Sequence, residues 1–364
     1  MPRTSADSEV GSCSYGNTSR RSDRFLRGLD LANRIILVSH VHPDPDSLGS
    51  MLGLSHLVET CLDKRTLMTR DGPICRAENR AMVDLLHIDL TPIEEVEWEE
   101  GDAVVMVDSQ PNTGRHNLNG HTPLYAVIDH HDTPGDVDGL PFVDVRRKLG
   151  ATCSLVTRYL TEQDILIPKR IATALLYGVE TELSGFPREA APLDDSAQTY
   201  LYPIADKDLL ARIRNARLPE SYFECILQAL QSSFIYDRLM LCWVNEMNHA
   251  EHAAEVCDFL MRFEQVDWVV VGGVCTDKLV LSVRTVLPHA QAGEMLRHAV
   301  SGLGRAGGHD RRAGGSIPLT SNAPSAIEEL QSELRRRFLK ALRVEETRGR
   351  RLMPLREMLE NLQS

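Results

Sequence analysis

The chain has 364 residues, 42% hydrophobic and 25% charged, an ordinary globular balance with length for two domains at roughly 100–200 residues each. Its formal net charge of −12 argues against a track for long duplex nucleic acid, which is held by basic side chains on its phosphates; small anions held through bound cations stay compatible. No apolar run approaches the roughly 20 residues that span a bilayer, and the scattered cysteines include no C-x-x-C pair. These features exclude a zinc knuckle and predict a cytoplasmic protein with reduced thiols and no membrane partner.

Residues 1–22 are polar and rich in Ser and Arg, and read as a disordered tail. From Arg34 the pattern alternates. Ile35–Ser39 is an apolar run of buried-strand type, Ser47–Cys61 carries apolar residues at helical spacing, Thr66–Thr69 reads as a strand and Ala77–Leu86 as a helix. Ala103–Val107 and Tyr125–Ile128 are two more buried strands, each followed by an acid, and Ala151–Thr161 and Lys169–Gly178 are helical. Such alternation predicts a doubly wound α/β domain with a parallel sheet, whose ligands collect at the carboxyl ends of the strands. Helices are expected over Asp194–Ala205, Lys207–Asn215 and Glu220–Ser233. A smaller α/β domain follows, with strands at Leu239–Val244, Trp268–Val274 and Lys278–Val286 and helices at Ala250–Phe263 and Ala292–Ser301. Ser325–Leu342 is an amphipathic helix before a charged tail. The divisions are 1–22 (tail), 23–190 (catalytic domain), 191–245 (helical connector), 246–345 (second domain) and 346–364 (charged helical tail).

The first strand runs into His40-Val41-His42-Pro43-Asp44-Pro45-Asp46-Ser47. Pro43 and Pro45 force this segment out of strand and helix alike, so an imidazole and two carboxylates gather in a loop. Asp46 could simply cap the next helix, but a cap does not explain His40 and Asp44 beside it. A mixed N/O set of this kind suits a divalent metal. Asp108 and Asp129-His130-His131 follow the next two buried strands. One acid after a strand is often a turn former. Three such clusters on parallel strand ends share one edge, and supply the terminal and bridging ligands that two ions about 4 Å apart require.

In order, His40-x-x-Pro43-Asp44-x-Asp46, Val107-Asp108 and Asp129-His130-His131 resemble the first three motifs of the DHH phosphoesterase family. Its fourth motif, Gly-x-x-Thr-Asp-Thr, aligns with Gly178-Val179-Glu180-Thr181-Glu182-Leu183, where Glu182 replaces the usual Asp. The stretch around Arg284 and Ala306-Gly307-Gly308-His309 is similar to the family's associated C-terminal domain, with Ala306 in place of a first glycine. The resemblance covers roughly residues 25–320. It implies an active site in the cleft between two domains, with two divalent ions, Mn2+ before Mg2+ or Co2+. His40, Asp44, Asp108 and Glu182 would hold one ion and Asp46, Asp108 and His130 the other, with Asp108 bridging. Among the catalytic pair, Asp129 would orient an imidazole and His131 would contact phosphate; Arg284, Gly307, Gly308 and His309 would bind substrate.

Within the family the layout resembles the oligoribonucleases known as nanoRNases, which implies metal-assisted hydrolysis of short oligonucleotides or dinucleotides without a Ser or Cys nucleophile. Phosphatase action on 3′-phosphoadenosine 5′-phosphate, cleavage of cyclic dinucleotides, and a nucleotide sensor with an impaired metal site, prompted by Glu182, stay open, as does a homodimer. His249 and His252, three apart on a helix and with no nearby acid set, read as a solvated face rather than a ligand pair.

Overall fold

The computed structural model describes residues 20–114, 116–118, 124–132, 135–183, 190–308 and 310–353. The chain divides into two compact units between Ala216 and Arg217.

The first unit opens with α1 (Arg21–Leu29). The expected tail therefore ends too late: Arg21 and Ser22 are helical, and the Ser22 hydroxyl donates to Glu162 at 2.7 Å. Phe25, Leu26 and Leu29 share a buried face, a stripe that the surrounding Arg, Ser and Asp disguise. The strands are β1 (Arg34–Val38), β2 (Thr66–Arg70), β3 (Thr91–Pro92), β4 (Asp102–Val107), β5 (Leu124–Asp129) and β6 (Phe142–Val145). They form a six-stranded sheet in the order β3-β2-β1-β4-β5-β6, and every pairing is parallel. The helices are α2 (Pro45–Leu62), α3 (Ala77–Leu85), α4 (Thr152–Glu162), α5 (Lys169–Leu183), α6 (Pro192–Leu201) and α7 (Lys207–Arg214).

Both faces of the sheet are buried, which is why its strands read as continuous apolar runs instead of alternating ones. Ile35, Leu37, Val105, Val107 and Ile128 join a core with residues of the helices. Ile36, Val38, Val104, Met106 and Val127 face the other way, against Ile93, Trp98, Leu118, Val137 and Leu140. Among the described residues that second face is covered by connecting segments, one with a 3-10 turn at Ile93–Glu95, rather than by α-helices. The stretch expected as a connector is divided: α6 and α7 lie in the first unit, where the buried Asp194 accepts the Gly150 N–H at 2.8 Å.

The second unit contains α8 (Glu220–Ser232), β7 (Ser233–Tyr236), β8 (Leu239–Val244), α9 (Glu251–Leu260), β9 (Trp268–Cys275), β10 (Lys278–Thr285), α10 (Ala292–Ala299), β11 (Arg305–Gly308), β12 (Arg312–Pro318), α11 (Pro324–Ala341) and β13 (Arg350–Arg351). Its seven-stranded sheet runs β11-β12-β10-β9-β8-β7-β13. Only β8 and β9 pair in parallel; the other pairs are antiparallel. No helix among the described residues is long and apolar enough to cross a membrane.

Gly178 is the contact on which α5 meets the start of α2. A Cβ there would lie 2.5 Å from Cys153 Sγ and 2.8 Å from the Pro45 carbonyl oxygen. Overpacking of this kind costs about 1–3 kcal/mol. Gly178→Val is expected to lower the thermal midpoint by several degrees and to weaken metal binding, because the same push displaces Asp46. An unchanged midpoint in a calorimetric scan would show that the two helices can separate at no cost.

Candidate metal centre

Strand order in the first sheet reverses between β1 and β4, the position where open α/β sheets form their ligand crevice. His40 follows β1, Asp108 follows β4, and Asp129 and His130 mark the end of β5. Asp44 caps α2: its Oδ1 accepts the Ser47 N–H at 3.0 Å and Pro45 begins the helix. The capping role weighed for Asp46 thus belongs to its neighbour. Asp46 instead turns to the N-terminus of α4, accepting the Thr152 and Cys153 N–H groups at 2.7 Å each.

Asp108 lies between two clusters. Its Oδ2 is 3.5 Å from His40 Nε2, which is also 3.5 Å from Asp44 Oδ2. Its Oδ1 is 3.4 Å from His130 Nε2, itself 3.6 Å from Asp46 Oδ2. Single donor atoms of His40, Asp44 and Asp108, and of Asp108, His130 and His131, come within 4.8 Å of one another. Both inner imidazoles are oriented alike: His40 Nδ1 bonds the Val41 carbonyl at 2.9 Å and His130 Nδ1 the Leu149 carbonyl at 3.2 Å. With Nδ1 committed as donor, each ring turns Nε2 to the cluster, where it donates to the carboxylates while protonated and would offer its lone pair to an ion once deprotonated, as metal-binding histidines do.

The charges explain what is missing from this set. Burial pushes the Asp46 carboxyl well above the usual range, reinforced by Asp108, Glu182 and Asp44. Burial also works against ionised Asp44, but the charge and hydrogen bond of His40 hold it well below that range. At Asp108 burial is likewise outweighed, first by the hydrogen bond from His40. Among the described residues no Lys or Arg forms an ion pair with Asp44, Asp46, Asp108 or Asp129. Buried carboxylates without a fixed cation, faced by imidazole nitrogens, fit divalent ions. Glu182, half-buried on α5, is near enough for its charge to act on Asp46.

His131 is set apart from the inner pair. Its Nδ1 meets Asp129 Oδ1 at 2.7 Å, and the other Asp129 oxygen accepts from Gln110 Nε2 at 2.7 Å. Burial raises the Asp129 carboxyl less than His131 and Gln110 lower it, so it stays ionised. Sequence reasoning missed Gln110, and also Ser47 and Thr152, whose hydroxyls donate to Asp108 at 2.9 Å each. It missed a cavity of about 710 Å³ beside Gln110 and Leu149, lined by Arg146, Arg147, Lys148 and Arg158.

The residues expected to bind substrate in the second unit fare differently. Arg284 is 8% exposed and already engaged, through Nε to Asp258 at 2.6 Å and through Nη1 to Ser282 Oγ and the Val283 carbonyl. It is not an open phosphate clamp. Gly307 and Gly308 belong to β11, not to a loop, and pair with Gly314 and Ala313. A Cβ on Gly307 would meet nothing within 4 Å, whereas Gly308 has φ of 150° and its Cβ would strike the Arg312 carbonyl oxygen at 2.4 Å. His309 lies outside the described residues.

Residues 34–179 match the family model for the N-terminal domain of the DHH family, as the three strand-end clusters imply. The likeness to the DHH family thus stands on this N-terminal region of the chain. It is 28% identical over 320 residues to an uncharacterized protein of Methanocaldococcus jannaschii, covering 86% of this chain and 65% of that one. A probable manganese-dependent inorganic pyrophosphatase of Lactococcus lactis is 24% identical over 41% of this chain and 48% of its own. The bifunctional oligoribonuclease and PAP phosphatase NrnA of Mycoplasma genitalium is 27% identical over 42% and 48%. The chain thus spans about half to two thirds of the length of these curated relatives. A crystal structure of an exopolyphosphatase-related protein from Bacteroides fragilis, 18% identical, superposes with a TM-score of 0.71 over 88% of this chain and 97% of that one, which establishes the shared fold.

Asp108→Asn keeps the side-chain shape and suits the left-handed backbone at this position (φ 57°). It is expected to fold with an unchanged or higher thermal midpoint without metal, because a buried like charge is gone, and to bind Mn2+ at least ~10-fold more weakly. Calorimetric titration reads both; a variant that still takes up Mn2+ with wild-type affinity would remove Asp108 from the ligand set.

Proposed function

We propose that this protein is a metal-dependent phosphoesterase that hydrolyses short oligonucleotides or dinucleotides to mononucleotides. The observation that carries the reading is the pair of histidine–carboxylate clusters sharing buried Asp108 at the sheet's reversal point. His40, Asp44 and Asp108, with Glu182, would hold one divalent ion; Asp46, Asp108 and His130 would hold the other, with Mn2+ preferred over Mg2+ or Co2+. Bound ions lower the pKa of water and offset charge developing on phosphorus.

The chain's own groups position the reaction. The Val41 and Leu149 carbonyls fix the tautomers of His40 and His130. Asp129 holds His131 through Nδ1 and fixes the orientation of its ring, as in other carboxylate–histidine pairs, which leaves Nε2 for contact with a phosphate oxygen. Arg146 and Arg158 pair with Asp144 and Glu162. Arg147 and Lys148 are exposed and, among the described residues, without an ion pair. They give a chain of net charge −12 a local positive lip for the substrate's remaining phosphates. The exposed Gly307 backbone suits close approach by an anionic group.

The oligoribonuclease relative supports this choice, and its second named activity keeps a bisphosphonucleotide as the alternative substrate; the pyrophosphatase relatives match as much of the chain. The test is purified protein with Mn2+ and a panel of dinucleotides, 5-mers, bisphosphonucleotide, cyclic dinucleotides and pyrophosphate. Dinucleotides are expected to turn over fastest; hydrolysis of pyrophosphate alone would overturn the reading. Replacing both Arg147 and Lys148 by Ala should raise KM for dinucleotides about 10-fold, with kcat little changed, on the scale of ~1–2 kcal/mol lost with charged contacts. Glu182 separates enzyme from sensor. If it is a working ligand, Glu182→Gln and Glu182→Asp should both lower turnover and Mn2+ affinity, whereas an Asp variant faster than wild type would mark a decayed site.

A further inference from the structure

The second unit carries another group of metal-type side chains. His249 lies in the turn that leads into α9, and its carbonyl oxygen accepts the His252 N–H at 3.2 Å. This turn brings the two imidazoles together, with ring centroids 3.6 Å apart and planes tilted by 41°. One turn further along, Glu255 Oε2 is 3.9 Å from His252 Nε2. One donor atom from each of the three residues falls within 4.8 Å of the others.

The sequence pattern suggested a solvated face, and the structure corrects this. His252 is 4% exposed, and among the described residues its Nδ1 has no hydrogen-bond partner. Leaving a buried imidazole nitrogen unsatisfied carries a penalty, which an ion held on Nδ1, or on that nitrogen after a ring flip turns it toward Glu255, would remove. Burial holds the His252 pKa below the usual value, which favours the neutral ring, the form that binds metals. A solvated face would need neither the close approach of the two rings nor the burial.

We propose that His249, His252 and Glu255 form a metal site of the second unit, separate from the centre around Asp108 and suited to Zn2+ or another borderline divalent ion. Two imidazoles and one carboxylate are a recurrent zinc set, in which donor atoms sit about 3.4 Å apart around bonds of ~2.0–2.1 Å. The present separations exceed that by an ångström or less at the His252–Glu255 edge, a gap closed by side-chain rotation. Three protein ligands leave a fourth position to water. One helical turn on, Asp258 of α9 holds Arg284 of β10, so an ion there would fasten the start of the helix that carries this anchor.

The site is independent of the proposed hydrolysis, and so is its test. Full-length protein carrying Asp108→Asn is stripped with chelator and titrated with Zn2+ against a chromophoric competitor, with bound metal counted by elemental analysis. The same is done after adding His249→Gln or Glu255→Gln, and each variant's metal-free thermal midpoint is checked. The expected result is one Zn2+ fewer, or affinity for one ion at least 10-fold weaker, in both added variants at an unchanged metal-free midpoint. Cobalt at the site should show the intense visible absorption of a four-coordinate ion, lost in both. Equal zinc counts and affinities across the three proteins would overturn the site, as would cobalt spectra identical in all of them. In the Asp108 wild-type background, the His249 and Glu255 variants keep their Mn2+-dependent turnover.

Discussion

Asp108 is 1% exposed and has its backbone in the left-handed region, with its N–H on the Ile128 carbonyl at 2.9 Å. It emerges from β4 into a space it shares with His40, His130, Asp44 and Asp46. Putting so much carboxylate in one buried place is costly unless each charge is matched. The surrounding structure supplies that match in layers. Ser47 and Thr152 hydroxyls bond Asp108, the α4 N-terminus binds Asp46, and His40 faces Asp44. Asp46 remains pushed toward its neutral form, and that residual frustration is what divalent ions relieve.

The parallel sheet makes this arrangement affordable in packing terms. Because apolar side chains leave the strands on both faces, α2, α4 and α5 can be seated firmly on one of them. Those helices then deliver Ser47, Thr152 and Glu182 to the sheet's carboxyl edge. The close approach at Gly178 fixes where α2 begins, and hence where Asp44 and Asp46 stand. Precision in the candidate ligand set is thus inherited from helix packing.

The second unit follows a different logic. Its sheet is mostly antiparallel, and Gly307, Gly308, Gly314 and Gly315 run along its β11–β12 edge. Glycine at 308 is demanded by its backbone, while Gly307 faces open space. Arg284 is drawn inward by Asp258 and Ser282. It therefore shapes the sheet, leaving exposed backbone as the accessible surface.

The strand ends and their acids were legible from the sequence because each is a local event. A run such as Ala126-Val127-Ile128 must be buried, and the charged residues after it must lie at the run's end. Pro43 and Pro45 likewise confine Asp44 and Asp46 to a loop and a helix start whatever the rest of the chain does. The family match over 34–179 agrees with that reading. Tertiary structure alone decided which groups complete the site. Thr152 meets Asp46 across 106 residues and Asp108 across 44, and Gln110 meets Asp129 across 19. Neither periodicity nor spacing reaches that far, since such contacts depend on how separate helices dock. The same holds for α1, whose apolar stripe is hidden among polar residues. It holds for Arg284 and His252 as well, because a charged or titratable side chain in sequence carries no mark of being buried until its neighbours close over it.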